Sequence, residues 1–271
     1  MDSNRWSFNS GNITGPFVDK IAAMKEAGFA AATLWHSDLF PVFDDPDGAI
    51  QPFKNSGLRL SAYQFLRDME GRSDKARAHN LELARQLMGQ LKLIGGDMLA
   101  IGSTMSPTED RNWAKAVAAV QMFGELGKSL GVRVAYEPMC FSEWINDYRL
   151  AWKLIRDVDH SHVGLLLDSA HVFLPNLPLD GISEIRGDKI FLVELNDFPQ
   201  TQLPIREMLR NYRLFPGEGM RPVGEFVDRV LATGYKGEFA VEVFNATYRS
   251  WDAKVVAKRG FASMEKLFAK R

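Results

Sequence analysis

The chain has a single cysteine, Cys140, in 271 residues, so no internal disulfide can form and a reducing, cytoplasmic setting is the expectation. It has no apolar run near the roughly 18 residues that a spanning helix requires. Its first residues, MDSNRW, are polar, so neither a membrane anchor nor a signal peptide is expected. It has no excess of one charge: 33 basic residues stand against 34 acidic ones, leaving no net field to attract nucleic acid or a membrane surface. No Pro/Ser-rich linker or charge block divides it. These absences point to small-molecule partners and leave homo-oligomerisation open. A composition of 46% hydrophobic and 25% charged residues supports one large core over residues 1–271, a common size for a single-domain α/β barrel.

What is present is alternation. Short runs rich in β-branched, aromatic or leucine residues predict strands at Trp6–Asn9, Phe29–Trp35, Leu58–Phe65, Asp97–Gly102, Val132–Pro138, Val163–Ser169, Ile190–Asp197 and Glu238–Asn245. Between them, segments of helical period occupy Pro16–Ala27, Asp74–Ile94, Asn112–Leu130, Tyr148–Val158 and Val223–Thr233. Several of these stop at a glycine suited to a helix C-terminus: Gly28, Gly95, Gly131 and Gly234. Strands joined by helical crossovers pair in parallel, and eight of them close into a single (β/α)8 TIM barrel. Two crossover segments, Asp44–Gly57 and Asn176–Gly187, carry many turn residues and predict long loops.

The run VELND, Val193–Asp197, raises a question of energetics, because a carboxylate inside a buried strand costs several kcal/mol unless it is paired or binds a metal. Glu194 is not alone. Glu137 ends the fifth strand, Asp168 ends the sixth, and Glu242 lies in the eighth. In a closed barrel, the carboxyl ends of successive strands reach one point on one face. Four oxygen donors there suit one hard divalent ion, Mn²⁺, Mg²⁺ or Co²⁺, with Zn²⁺ also admissible. The competing reading pairs each carboxylate with a loop arginine.

His171 follows Asp168 by three residues, which sets it above the same face, where a side chain with an ordinary pKa near 6.5 can give or take a proton. His36 follows the second strand and is expected to line the pocket, while His79, His160 and His162 are expected at the surface. Trp35 and Trp144 are candidate apolar walls, and Cys140 borders the pocket without a sign of a nucleophilic role. The glycines of PGEGMRPVG fit neither a dinucleotide fingerprint nor a P-loop and read as a tight turn.

Four stretches carry a family resemblance: YQFLRDMEG at Tyr63–Gly71, the run from Asn146 to His171, RNYRLFPGEG at Arg210–Gly219, and GYKGEFAVEVFN at Gly234–Asn245. Through them the chain resembles the sugar isomerase/epimerase (xylose isomerase-like) superfamily of metal-dependent barrels, and within it the bacterial 3-dehydroshikimate dehydratases. The resemblance implies three metal positions at Glu137, Asp168 and Glu242, and an acid/base position at His171. It puts Glu194 at the fourth metal position, where relatives usually carry histidine or glutamine. Four carboxylates around one dication raise at least one pKa, so Glu194 is read as fourth ligand or as a base.

The activity so implied is enolisation of a keto-acid, keto-cyclitol or keto-sugar, since a metal on a carbonyl oxygen makes the neighbouring C–H acidic. Loss of a β-hydroxyl then makes the enzyme a lyase; return of the proton to another face or carbon makes it an epimerase or isomerase. Arg67, Arg210 and Arg213 are the candidate partners of a substrate carboxylate. The related abasic-site endonucleases require a basic, DNA-tracking surface that the balanced charge does not provide. A catalytically silent scaffold is the remaining alternative, which solvent deuterium incorporation into a keto-polyol would distinguish.

Overall fold

Strands and helices alternate as the apolar runs require, in a computed structural model that describes residues 2–39, 45–269 and 271. The strands are β1 (Trp6–Asn9), β2 (Ala31–Trp35), β3 (Arg59–Arg67), β4 (Met98–Gly102), β5 (Arg133–Glu137), β6 (Val163–Asp168), β7 (Ile190–Leu195) and β8 (Glu238–Val241). They pair in sequence order, and β8 returns to β1 in parallel, so the sheet closes into one eight-stranded barrel. The helices are α1 (Phe17–Ala27), α2 (Pro46–Ser56), α3 (Asp74–Ile94), α4 (Trp113–Leu130), α5 (Tyr148–Val158), α6 (Ser169–Phe173), α7 (Ile205–Asn211), α8 (Val223–Ala232) and α9 (Ala253–Phe268). This is the (β/α)8 architecture expected from the alternation. Among the described residues, no helix is long and apolar enough to cross a membrane.

Two crossover segments read as loop-rich came out differently. Asp44 lies outside the described residues, but Pro46–Ser56 is a helix. Its turn-forming residues are its end signals: the Asp45 side chain accepts the N–H of Gly48 at 2.9 Å, a proline opens the first turn, and Gly57 leaves with φ 73°. Residues Asn176–Gly187 do form irregular backbone, with short 3-10 turns at Asp180–Glu184 and, starting at the segment's last residue, at Gly187–Lys189.

Packing divides the apolar residues into two shells. Inside the barrel, small and medium side chains interdigitate: Ala62, Met98, Ala100, Ala135, Leu166, Leu192 and Ala240. Larger residues fill the layer between strands and helices, where α9 packs against β1 and α1. Its Phe261 meets Trp6 and Phe29 edge-on at 5.3 Å each, and its Phe268 stacks at 5.7 Å from Trp6. Register then fixes the site: Asp168 of β6 lies directly opposite Glu194 of β7.

Candidate metal centre

Glu137 and Asp168 are the last residues of β5 and β6, Glu194 is the last but one of β7, and Glu242 follows β8 immediately. All four are buried, as is His171 in α6. Their donor atoms form two overlapping groups, Glu137/Asp168/His171 and Asp168/Glu194/Glu242, each with its atoms within 4.8 Å of one another. Four strand ends have brought five polar side chains to one point, as the barrel geometry predicts.

One arginine reaches them. Arg213, itself buried, donates from Nη1 to Asp168 Oδ2 at 2.8 Å and to Glu242 Oε2 at 2.7 Å, while its Nε donates to the carbonyl of Leu209. So the competing arginine reading is true in part. Burial works against the guanidinium charge, but Asp168 and Glu242 hold the proton and raise its pKa.

A single guanidinium does not balance four carboxylates. Glu194 Oε1 accepts from Gln64 Nε2 at 3.0 Å and more distantly from Asn9 Nδ2, yet its Oε2 is buried with no hydrogen-bond partner. Burial, and then the charges of Glu242, Glu137 and Asp168, push its pKa well above the ordinary carboxylate value. Burial also raises Glu242, with Arg213 opposing and Asp168 and Glu137 assisting, to about 8. An orphaned carboxylate oxygen among oxygen donors, with positive charge in short supply, is what a divalent cation fits.

His171 presents Nε2 to this group, 3.3 Å from Glu137 Oε1 and 3.8 Å from Asp168 Oδ2, without hydrogen-bond alignment to either. On its other side Nδ1 accepts the backbone N–H of Cys140 at 3.2 Å, with the Cys140 Sγ at 3.2 Å. A ring that accepts at Nδ1 carries its proton on Nε2, toward the cluster. Burial opposes a charge on this ring, and the Cys140 and Glu137 contacts with the Asp168 charge outweigh it, so its pKa is raised.

Two participants escaped the sequence reading. Asn9 at the end of β1 donates to Gln64 Oε1 and to Glu242 Oε1, both at 2.7 Å, and its Oδ1 accepts from Trp35 Nε1. Gln64 in β3 passes the chain on to Glu194. Both are polar side chains inside strands, but as neutral amides they lack the charge that exposed Glu194. Asp197, by contrast, is structural: its carboxylate accepts the N–H groups of Phe198, Gly219 and Arg221 and so anchors the Pro216–Gly219 turn.

Above the cluster opens a cavity of about 540 Å³ whose lining includes Glu137, His171, Glu242, Arg67, Arg210 and Arg213. Trp35, Phe65, Phe141 and Phe244 supply aromatic walls, and Arg206, not anticipated, also lines it. Arg67 stands more than half exposed, 3.9 Å from Asp68 and 3.7 Å from the Met105 sulfur. His36 is engaged with the backbone instead: its Nδ1 accepts the N–H of Phe65 at 3.2 Å, and it is absent from the cavity lining. Trp144 packs edge-on against Trp113 at 6.2 Å and is also absent from the lining. His79 is exposed, and His160 and His162 lie together, half-buried, before β6.

Comparison with known proteins agrees with the motif resemblance. A family model described as xylose isomerase-like TIM barrel matches residues 21–267. The 3-dehydroshikimate dehydratase of Pseudomonas putida is 28% identical over 253 residues, 93% of this chain, and the chain spans only 40% of that relative's length. The inosose isomerase of Bacillus subtilis is 24% identical over 137 residues, 49% of this chain and 48% of its own. Among solved structures, a xylose isomerase-like TIM barrel/4-hydroxyphenylpyruvate dioxygenase fusion protein superposes with a TM-score of 0.93 at 28% identity, covering 97% of this chain and 42% of that one. The IOLI protein with a bound zinc atom superposes with a TM-score of 0.87 at 18% identity over 98% of both chains, a likeness of fold. With its model matched across nearly the whole barrel, the chain belongs to the xylose isomerase-like TIM barrel family.

Proposed function

We propose that the chain is a divalent-metal enzyme that enolises a cyclic keto-acid and eliminates a β-hydroxyl, a lyase of the 3-dehydroshikimate dehydratase type working in the cytoplasm. The observation that carries the reading is the buried, unpartnered Glu194 Oε2 among the carboxylates of Glu137, Asp168 and Glu242. These four residues would hold the ion, with Mn²⁺, Mg²⁺ or Co²⁺ favoured by an all-oxygen set and Zn²⁺ tolerated. Such an ion supplies a Lewis acid for a carbonyl oxygen, which makes the adjacent C–H acidic.

The chain's own groups do the rest. Asn9 and Gln64 fix one oxygen of Glu194 by hydrogen bonds and leave the other directed to the cluster. Arg213 orients Asp168 and Glu242. Glu194, the carboxylate with an unpartnered oxygen, takes the proton from the acidified C–H. His171, its Nδ1 occupied by the Cys140 N–H, gives its Nε2 proton to the departing hydroxyl, which leaves as water. The proton held by Glu194 then returns to His171 between turnovers. The aromatic walls exclude water from the ring, and the arginines at the mouth favour an acid over a neutral sugar.

An epimerase or isomerase of a keto-sugar or inosose would begin with the same proton removal, so the product decides. The test is the ultraviolet progress curve of Mn²⁺-loaded protein with 3-dehydroshikimate. An aromatic product that disappears on chelation is expected. Deuterium exchange into neutral keto-sugars without that product would instead favour the isomerase chemistry.

A further inference from the structure

Most arginines of this chain pair with a carboxylate; among the described residues Arg5, Arg221 and Arg249 do not, and none of these three lines the cavity. Arg59, Arg77, Arg133, Arg186, Arg229 and Arg259 each meet a carboxylate within 3.3 Å. Arg206 and Arg210 meet none among the described residues, although both are exposed and both line the cavity. They sit four residues apart on α7, which puts them on one helix face. Glu207, the acidic neighbour between them, accepts instead from Asn211 at 2.9 Å. Arg206 sits over Phe141, its guanidinium carbon 4.9 Å from the ring centroid, and Phe141 is itself a cavity wall. The contact leaves the fork free to donate.

The cavity therefore presents three kinds of surface. Its lining combines buried carboxylates of the cluster, the apolar side chains of Phe65, Leu66, Met105, Met139 and Leu209, and two exposed guanidiniums without counter-charge. A molecule complementary to all three has metal-chelating oxygens, a ring and an anion. We propose that Arg206 and Arg210 form a carboxylate clamp that determines specificity for ring acids. This rests on the keto-acid reading given above and adds the residues that select the acid. A planar carboxylate matches the guanidinium fork with two parallel hydrogen bonds, and charge-assisted bonds of this kind are the strong ones.

The test compares binding of 3,4-dihydroxybenzoate with catechol, the same ring without its carboxylate, by titration calorimetry. It is made on Mn²⁺-loaded and on metal-free protein, so that the clamp and the metal reading fail separately. The wild type is expected to prefer the acid by at least about tenfold, as one added charge-assisted pair allows. Arg206→Gln/Arg210→Gln should abolish the preference and leave catechol affinity unchanged. Arg229→Gln, which removes a charge far from the mouth, should keep it. An acid preference that survives the double substitution, one that is lost equally in Arg229→Gln, or none in the wild type in either metal state overturns the clamp. Catechol that fails to bind the Mn²⁺-treated protein, while the acid preference and its loss persist, overturns the metal reading and leaves the clamp standing.

Discussion

The two ends of the barrel treat their charged groups in opposite ways. At the amino-terminal end of the strands, Glu238 takes Arg59 Nη2 at 2.7 Å and the Ser61 hydroxyl, and Asp97 takes Arg133 at 3.0 Å. Each carboxylate there has its own cation and retains access to water, with the Arg59 side chain 52% exposed. At the carboxyl-terminal end, one arginine, Arg213, pairs with two of the four carboxylates, burial is nearly complete, and one Glu194 oxygen has no partner. One fold thus pairs each carboxylate with a cation at the end that only stabilises, and gathers carboxylates around a single arginine at the end whose donor set fits a divalent ion.

The strongest way to break this contrast is to remove a carboxylate from the clustered end. Glu242→Ala should lower turnover, or solvent deuterium wash-in, by on the order of a thousandfold, comparable to losing a principal group that stabilises transition-state charge. A smaller but diagnostic effect concerns Arg213. Arg213→Met leaves Asp168 and Glu242 buried without their cation, and denaturant unfolding of the metal-free protein should show a loss of about 3–5 kcal/mol. Saturating Mn²⁺ should restore much of it, giving the variant a larger metal-induced rise in Tm than the wild type.

The pH response sharpens the comparison further. Glu242 in the folded chain has its pKa raised to about 8, and Glu194 is raised too, whereas both return to the ordinary carboxylate range on unfolding. The folded state therefore binds the extra protons between those limits. Its stabilisation is complete below the unfolded pKa and is lost as the pH climbs through the folded one. Thermal melts of metal-free protein should fall steadily from about pH 5 to pH 8, and metal should flatten the slope. The smallest effect belongs to the other end: Arg59→Met should cost about 1 kcal/mol or less, as half-exposed pairs do, with metal affinity unchanged in a binding titration.

The same contrast governs how far the sequence could be read. The strands and helices such as α5 and α8 were legible because their apolar periodicity is strong, and the carboxylates were legible because a charge in an apolar run is conspicuous. Helix α2 was hidden because aspartate, proline and glycine serve equally as loop formers and helix caps. Asn9 and Gln64 carried no charge to flag them. The burial of Arg213 could not be read from its neighbours, since it depends on long-range pairing. Bridges from Asp197 to Leu214 and from Tyr212 to Asn245 fold its segment over the barrel mouth.

The central claim is that one end of the barrel is built for a cation and the other is not. Elemental analysis of Mn²⁺-equilibrated, dialysed protein tests it most directly, comparing the wild type with Glu242→Ala and Glu238→Ala. One ion per chain is expected in the wild type and in Glu238→Ala, with none in a folded Glu242→Ala. Stoichiometric metal retained by Glu242→Ala would contradict the assignment.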